Sequence, residues 1–521
     1  GTGNVTLVAS GAVADTDGTV DIEGTTVTVT LDAAGDFGTT GGDAVDTTAT
    51  HLNIATTNSD IFADETDGLS SFNLNAGNGD VELEASGDVN DADSAVDIIA
   101  STATVTLTTG DFGSSTDAIG TSVTNLNVAT TNADQFIEET NALLSLDLDA
   151  GTGDIELSAG GSISDGDADI DIAATSATVT LTAIGAVGDS TDSINTDVDH
   201  LTLDTPANNG KQLIDELDGL SSLNLDASIG NVTLGVGGTV TDSDSDVDIT
   251  AGAATVTSSA GDFGSSADSI GTTVTNLSVS TNDADQFIAE TDGLSSLNLD
   301  AGTGDIDLST GGAITDTDPT VDITAASATV SLSSGGFGTS GNAIETDVDE
   351  LSVDTSSSNS SQFIEETDGL DALNLDAGTG NVTLEASGAI ADTDGSVDIT
   401  ATTTTVTIDS AGDFGASGNA IDTATTHLNV ATTDSDIFVD ESNSLSSLNL
   451  DAGTGNIELE ASGNVFDSDG GIDITATTAT VTIDAAGAFG TSGNSINTDV
   501  DNLSVDTSAN NGNQFIDETD G

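Results

Sequence analysis

Apolar and polar residues alternate in short runs along the whole chain, and the runs return in phase. Every second residue is apolar in Leu146-Asp147-Leu148-Asp149-Ala150, and again in Asp154-Ile155-Glu156-Leu157-Ser158-Ala159. Alternation of period two puts one set of side chains on one face, as a half-buried strand requires. Gly151-Thr152-Gly153 turns the chain between these runs, and Gly160-Gly161 turns it before a third short strand, Ser162-Ile163-Ser164. Asp165-Gly166-Asp167 then makes a polar corner. The plan recurs in Ile170-Asp171-Ile172-Ala173, in Ala177-Thr178-Val179-Thr180-Leu181 and in Leu201-Thr202-Leu203-Asp204. Helical spacing of apolar residues is confined to the short stretch Asp134 to Glu139, and 60 glycines among many Ser and Thr disfavour helices.

The runs belong to a repeat of about 75 residues, and a fixed period decides architecture before any motif does. Its Gly-x-Gly turn starts at Gly1, Gly77, Gly151, Gly302, Gly378 and Gly453, with Ser228-Ile229-Gly230 in the remaining place. One continuous array over 1–521 is expected, with repeats near 1–76, 77–150, 151–227, 228–301, 302–377, 378–452 and 453–521. The chain starts and stops inside a repeat, so it reads as a window of a longer array. Strand starters at Phe72, Val96, Leu126 and Leu146 divide the repeat into three stretches of about 25 residues. The expected fold is therefore all-β: a right-handed parallel β-solenoid (β-helix) with about three coils per repeat and about 21 coils in all. The alternative is a string of tandem small β-sandwich domains, one per repeat. Two phenylalanine sets keep the register and are expected to be buried anchors. Phe37, Phe112, Phe263, Phe337, Phe414 and Phe489 form one, with Val187 in the seventh place; Phe62, Phe136, Phe287, Phe363, Phe438 and Phe515 form the other, with Leu213.

Composition narrows the function. Acidic residues number 91 against one basic residue, Lys211, giving a net charge of −90. Nucleic acid and anionic membranes need Lys and Arg to meet phosphate, so neither is an expected partner. No apolar run approaches the roughly 20 residues of a membrane-spanning helix. Such charge with few aromatics favours disorder, but apolar residues held in register through seven repeats favour a packed core. Cysteine is absent, which leaves no thiol or disulfide chemistry.

The run Leu297-Asn298-Leu299-Asp300-Ala301-Gly302-Thr303-Gly304-Asp305-Ile306-Asp307-Leu308 resembles the secreted bacterial β-helix proteins of the filamentous-haemagglutinin kind and the large β-strand-repeat surface proteins related to them. The resemblance is one of pattern and covers the whole window. It implies a right-handed parallel β-helix, exported and displayed at the cell surface as a long stalk for adhesion or for building a biofilm matrix. The Asn-Pro motifs of that group's secretion domain are not in this window, whose only prolines are Pro206 and Pro319.

The most regular polar feature is Asp-x-Asp followed by a third Asp. The sets are Asp15, Asp17, Asp21; Asp91, Asp93, Asp97; Asp165, Asp167, Asp171; Asp242, Asp244, Asp248; Asp316, Asp318, Asp322; Asp392, Asp394, Asp398; and Asp467, Asp469, Asp473. Residues two apart on an extended segment face the same way, so each set is a candidate structural Ca²⁺ site, an ion that takes six to eight oxygens. The competing reading is a solvated corner, because Asp favours turns. The acidic pairs Glu138-Glu139, Asp215-Glu216, Glu365-Glu366, Asp440-Glu441 and Asp517-Glu518 are second candidates. Neither the EF-hand spacing nor the glycine-rich Ca²⁺-roll repeat is present. The three histidines, His51, His200 and His427, share one strand start and have no nucleophile pattern, so no enzyme is expected. Thr26-Val27-Thr28-Val29-Thr30 invites an ice- or mineral-binding reading, a minor alternative. The function expected is an extracellular structural fibre that self-associates and takes divalent cations. The alternative is the stalk of an adhesin whose binding domain lies outside the window.

Overall fold

The computed structural model describes residues 1–40, 43–206, 209–409 and 411–519. Among these, every regular element is a β-strand, and the strands stack in parallel as a β-solenoid of about 23 coils, each near 22 residues. The chain divides into two units, Gly1–Gly261 and Asp262–Gly521, and each shows the same plan by itself. A sandwich is built from antiparallel sheets. Here every ladder between strands runs parallel, and the antiparallel bridges, such as Thr39 with Asp43 and Ser114 with Asp117, lie inside small hairpins. The sandwich alternative is thereby excluded. The stretch with helical spacing is also extended, as the strand Gln135–Glu139.

Registers count the coils. In the first unit Ile22 lies against Thr47, Thr47 against Glu65, Glu65 against Ala85, Ala85 against Leu107 and Leu107 against Thr130. The neighbouring Ala129 lies against Asp149, and Asp149 against Ala173. Seven such steps return the column to Ile172, which occupies the place of Ile22 two repeats later. The residue one repeat later, Ile98, is not in that column. It stacks on Leu74, which stacks on Ile54 and that on Val29, so it belongs to the other strand position of the coil. The second unit repeats the count, from Ile323 through Thr346, Glu366, Ala386, Ile408 and Ala431-Thr432 to Asp451 and Thr475.

Each repeat therefore occupies three and a half coils, not the expected three. The physical reason is parity: a repeat holds an odd number of strand positions, and each coil uses two. Successive repeats present the same residues on alternate sides, half a turn apart.

Inward side chains of both strand positions form the core. Val27, Leu52, Leu74 and Ile98 in the first unit are 0% exposed, as are Phe337 and Phe414 in the second. In the second phenylalanine set Phe62 is buried as expected, at 8% exposed, and the others differ. Phe136, Phe287, Phe363 and Phe438 point outward and are half-buried, and a hairpin of the coil before folds over each. That cover is close. At Gly338 (φ +70°) the carbonyl oxygen of Phe363 lies 2.5 Å from where a Cβ would stand. Gly338→Ala is expected to cost on the order of 2 kcal/mol from the left-handed backbone alone. Faster amide exchange at Phe363 and its neighbours would show it, and unchanged protection would overturn it.

Two segments project from the coil in each repeat. One is the Asp corner, which leaves the core between Ile163 and Ile172 in the third repeat. The other is the hairpin that follows Val187 one coil later on the same side.

Candidate functional site

At each Asp corner the chain leaves the coil, and its backbone stops closing the ladder. The first Asp side chain closes it instead at Asp165, Asp242, Asp316 and Asp467, and the third at Asp97, Asp171, Asp322, Asp398 and Asp473. The first accepts from the coil before: Leu146 N–H donates to Asp165 (3.0 Å), Leu223 N–H to Asp242 (3.0 Å) and Leu297 N–H to Asp316 (2.9 Å). The third accepts from the coil after: Gly120 N–H donates to Asp97 (2.8 Å), Asn195 N–H to Asp171 (2.7 Å), Glu345 N–H to Asp322 (3.0 Å) and Asp422 N–H to Asp398 (2.7 Å). The middle Asp stays exposed and caps its own turn, as Asp167 does for Asp169 N–H (2.9 Å) and Asp318 for Thr320 N–H (2.9 Å). Aspartate is required because its short carboxylate imitates a backbone carbonyl.

The structure brings the sets together. Carboxylate oxygens of Asp91, Asp93 and Asp97 lie within 4.8 Å of one another, as do those of Asp165, Asp167, Asp171 and of Asp242, Asp244, Asp248. Asp316 and Asp322, Asp392 and Asp398, and Asp467 and Asp473 are likewise pairs of buried carboxylates. The first repeat differs: Asp15 and Asp21 gather with Asp46 of the next coil, and Asp21 is exposed.

Burial without a cation sets the protonation. Asp97 is pushed up to about 8 by burial and by Asp91, and Asp322 to about 8 by burial, with neighbouring Glu345 and Asp316 adding to the push. Burial also lifts Asp171 and Asp398 to about 7 and Asp473 to about 6. The first Asp goes the other way. Burial pushes Asp165, Asp242 and Asp316 up, but donated backbone N–H groups hold them below the usual carboxylate range. The Asp165–Asp171 and Asp316–Asp322 corners thus pair a first Asp held below the usual range with a third Asp lifted to about 7 and about 8. A hard divalent cation is the other way to relieve that pair. The donors are all oxygen, which suits Ca²⁺ or Mg²⁺, and with one oxygen of each outer Asp engaged by backbone, water must complete the shell of Ca²⁺.

The second-candidate acidic pairs are taken apart by the strand pleat. The Glu of each points inward and is a structural group that sequence reasoning missed. Glu65, Glu139, Glu216, Glu366 and Glu441 are at most 1% exposed. Thr47 Oγ1 donates to Glu65 (2.8 Å), Thr121 to Glu139 (2.8 Å), Thr346 to Glu366 (2.6 Å) and Thr423 to Glu441 (2.8 Å). Backbone N–H groups of Ala49 and Asp67 complete the set at Glu65. Burial raises the carboxyls of Glu65, Glu216, Glu366 and Glu441, those of Glu216 and Glu366 to about 7. The available signal was the recurrence of Glu, never Asp, at one place in all seven repeats, Glu65, Glu139, Glu216, Glu290, Glu366, Glu441 and Glu518: only the longer side chain reaches the coil before.

Outside the core, some columns stack acid on acid. Asp422 lies against Asp440, Asp440 against Glu460 and Glu460 against Asp484, along a groove of about 350 Å³ that Val397 also lines. The threonine runs form no continuous array, since Thr104 lies between Glu82 and Asn127. His51 lies between Thr26 and Ser71 on the outer face. No family model, no characterised protein and no solved structure matches the chain.

Proposed function

We propose that the chain is an extracellular structural protein, a β-solenoid filament serving as stalk or matrix fibre, whose Asp corners take divalent cations. One observation supports this above the others. Every coil closes its ladder only on the coils beside it, with Asp and Glu splints where the backbone departs, so length is added without redesign. Bound cations would relieve the paired carboxylates, stiffen the corners and let filaments of like charge approach.

Sites of this kind in extracellular modules bind Ca²⁺ at about 10⁻⁴ to 10⁻³ M. At about ten times that dissociation constant, each site is expected to add about 1.4 kcal/mol to the coils it joins. At pH 8, Ca²⁺ is therefore expected to raise the melting temperature and the light scattering relative to chelator at matched ionic strength. Identical melting and scattering in the two would sink the cation role.

A further inference from the structure

The triplet Asn-x-Thr, the acceptor of N-linked glycans, occurs at Asn4-Val5-Thr6, Asn231-Val232-Thr233 and Asn381-Val382-Thr383. All three copies occupy one structural place, the residue after the Gly-x-Gly turn or its Ser-Ile-Gly variant. The other repeats have Asp80, Asp154, Asp305 and Asn456 there. The start of the strand decides what a side chain at this place does. Where the strand starts one residue later, at Val81, Ile155 and Ile457, the side chain caps the coil after. Thr102 N–H donates to Asp80 (3.1 Å), Thr178 N–H to Asp154 (2.8 Å) and Thr480 N–H to Asn456 (3.1 Å). Asn456 also donates from Nδ2 to Asp436 (3.1 Å), so its whole amide is engaged, and the residue two further on is Glu458. The strands Asn4–Ala9, Asn231–Val236 and Asn381–Ala386 instead begin at the Asn itself. Their ladders pair Asn4 with Thr26, Asn231 with Ala253 and Asn381 with Thr403. Backbone does the work of the cap, and among the described residues no hydrogen bond holds these three side chains. Period two then sets acceptor and hydroxyl on one outer face. Asn231 and Thr233 are exposed with Val232 buried between them, Asn4 and Thr6 are exposed, and exposed Asn381 stands beside a half-buried Thr383. The ladder partners Thr26, Ala253 and Thr403 are short and leave the amide open on that side.

We propose that Asn231 and Asn381, and Asn4 with them, are N-glycosylation sites. Nδ2 attacks the anomeric carbon of a sugar carried on a phosphate or pyrophosphate donor. The new N–C bond forms as the C–O bond to the donor phosphate breaks; the phosphate leaves with the electron pair, and the amide gives one proton to a base of the transferase. The glycan stands on the outer face beside the turn, bulky and hydrated without adding charge. The triplet with serine, at Asn276, Asn359 and Asn502, lacks this setting. Asn359 accepts from Thr379 N–H (3.0 Å), and Asn276 and Asn502 lie inside the long strands Ile270–Thr281 and Ile496–Asp506.

Such transfer is made to secreted chains, so the assignment rests on the extracellular reading, and the test separates the two. The whole chain is taken from the cells that make it. Protease treatment of intact cells, with assay of the medium, establishes whether it lies outside. The purified chain is then cleaved at Asp and Glu, since trypsin has the single site Lys211, and its peptides are identified by mass spectrometry. Sugar mass is expected on the peptides holding Asn231 and Asn381 and none on that holding Asn456. Thr233→Ala should abolish it at Asn231 alone, and Thr233→Ser should keep it. Thr233 is exposed, so both variants should retain the parent circular dichroism spectrum. Bare Asn231 and Asn381 on a chain found outside the cell overturn the glycan and leave the fibre reading standing. Bare sites on a chain kept inside overturn both. A glycan on Asn456 as well, or one at Asn231 that survives Thr233→Ala, shows attachment without the triplet and overturns the proposal.

Discussion

Thermal stability is expected to peak near pH 5 and to fall as the pH rises toward 9, by on the order of 10 °C in the apparent midpoint. The sign follows from which groups are displaced and in which direction. Asp97 and Asp322 titrate near 8 in the folded chain, Asp171, Asp398, Glu216 and Glu366 near 7, and Asp473 near 6. All lie above the ordinary carboxylate value, so between about pH 4 and these values the folded state binds more protons than the unfolded state. Their contribution is complete below the unfolded value and is lost as the pH rises through the folded ones. Asp165, Asp242 and Asp316 lie below the ordinary value, and their contribution is lost only on the acid side. The two windows leave the maximum between them. Repulsion among the 91 acidic residues slopes the same way, so the scan belongs in about 1 M salt, where the screening length is about 3 Å. A profile that is flat or rises from pH 5 to pH 9 in that salt would show that the buried carboxyls are ionised and satisfied.

Fold class was legible because period-two alternation and glycine turns act locally, and the repeat multiplies a weak signal seven times. Coil number was not. Strand starters at Phe72, Val96, Leu126 and Leu146 mark segments of unequal design, since the Asp corner after Val89 and the hairpin after Phe112 leave the coil without ending it. Spacing in sequence counts those excursions as strand, whereas register does not.

The acidic triplets were found, but their first role was hidden. Asp165 and Asp171 cap amides 19 and 24 residues away in sequence, and a turn preference gives no hint of such partners. The buried Glu was missed for a related reason. A carboxylate beside Asp-Gly reads as solvated until the coil before it supplies a Thr hydroxyl and a backbone amide. The outward phenylalanines were misplaced because their cover, a hairpin built around a positive-φ glycine, comes from the previous coil.

Glu441→Ala is expected to cost about 3–5 kcal/mol, as removing one partner of a buried charged network does. The carboxylate accepts from Thr423 Oγ1 at 2.8 Å, from Thr425 N–H at 3.1 Å and from Asn443 N–H at 2.6 Å. Alanine leaves the Thr425 and Asn443 amides without this acceptor, and Thr423 Oγ1 with only the Asp440 carbonyl at 3.5 Å, at a corner where Glu441 is only 1% exposed. Glu441→Gln keeps one acceptor oxygen but turns an amide N–H₂ toward donors, so an intermediate loss is expected. Thr423→Val removes a single bond, at about 1 kcal/mol. Because each coil contacts only its neighbours, the damage should stay local. The direct readout is amide exchange at Thr425 and Asn443, which should accelerate most in Glu441→Ala while strands several coils away keep their protection. Burial holds the Glu441 carboxyl above its ordinary range, so Glu441→Gln should also lose the part of the pH slope that this group supplies. If Glu441→Ala melts within about 1 kcal/mol of the parent, the corner is held by backbone geometry alone, and the inward glutamates are tolerated passengers of the repeat rather than its latches.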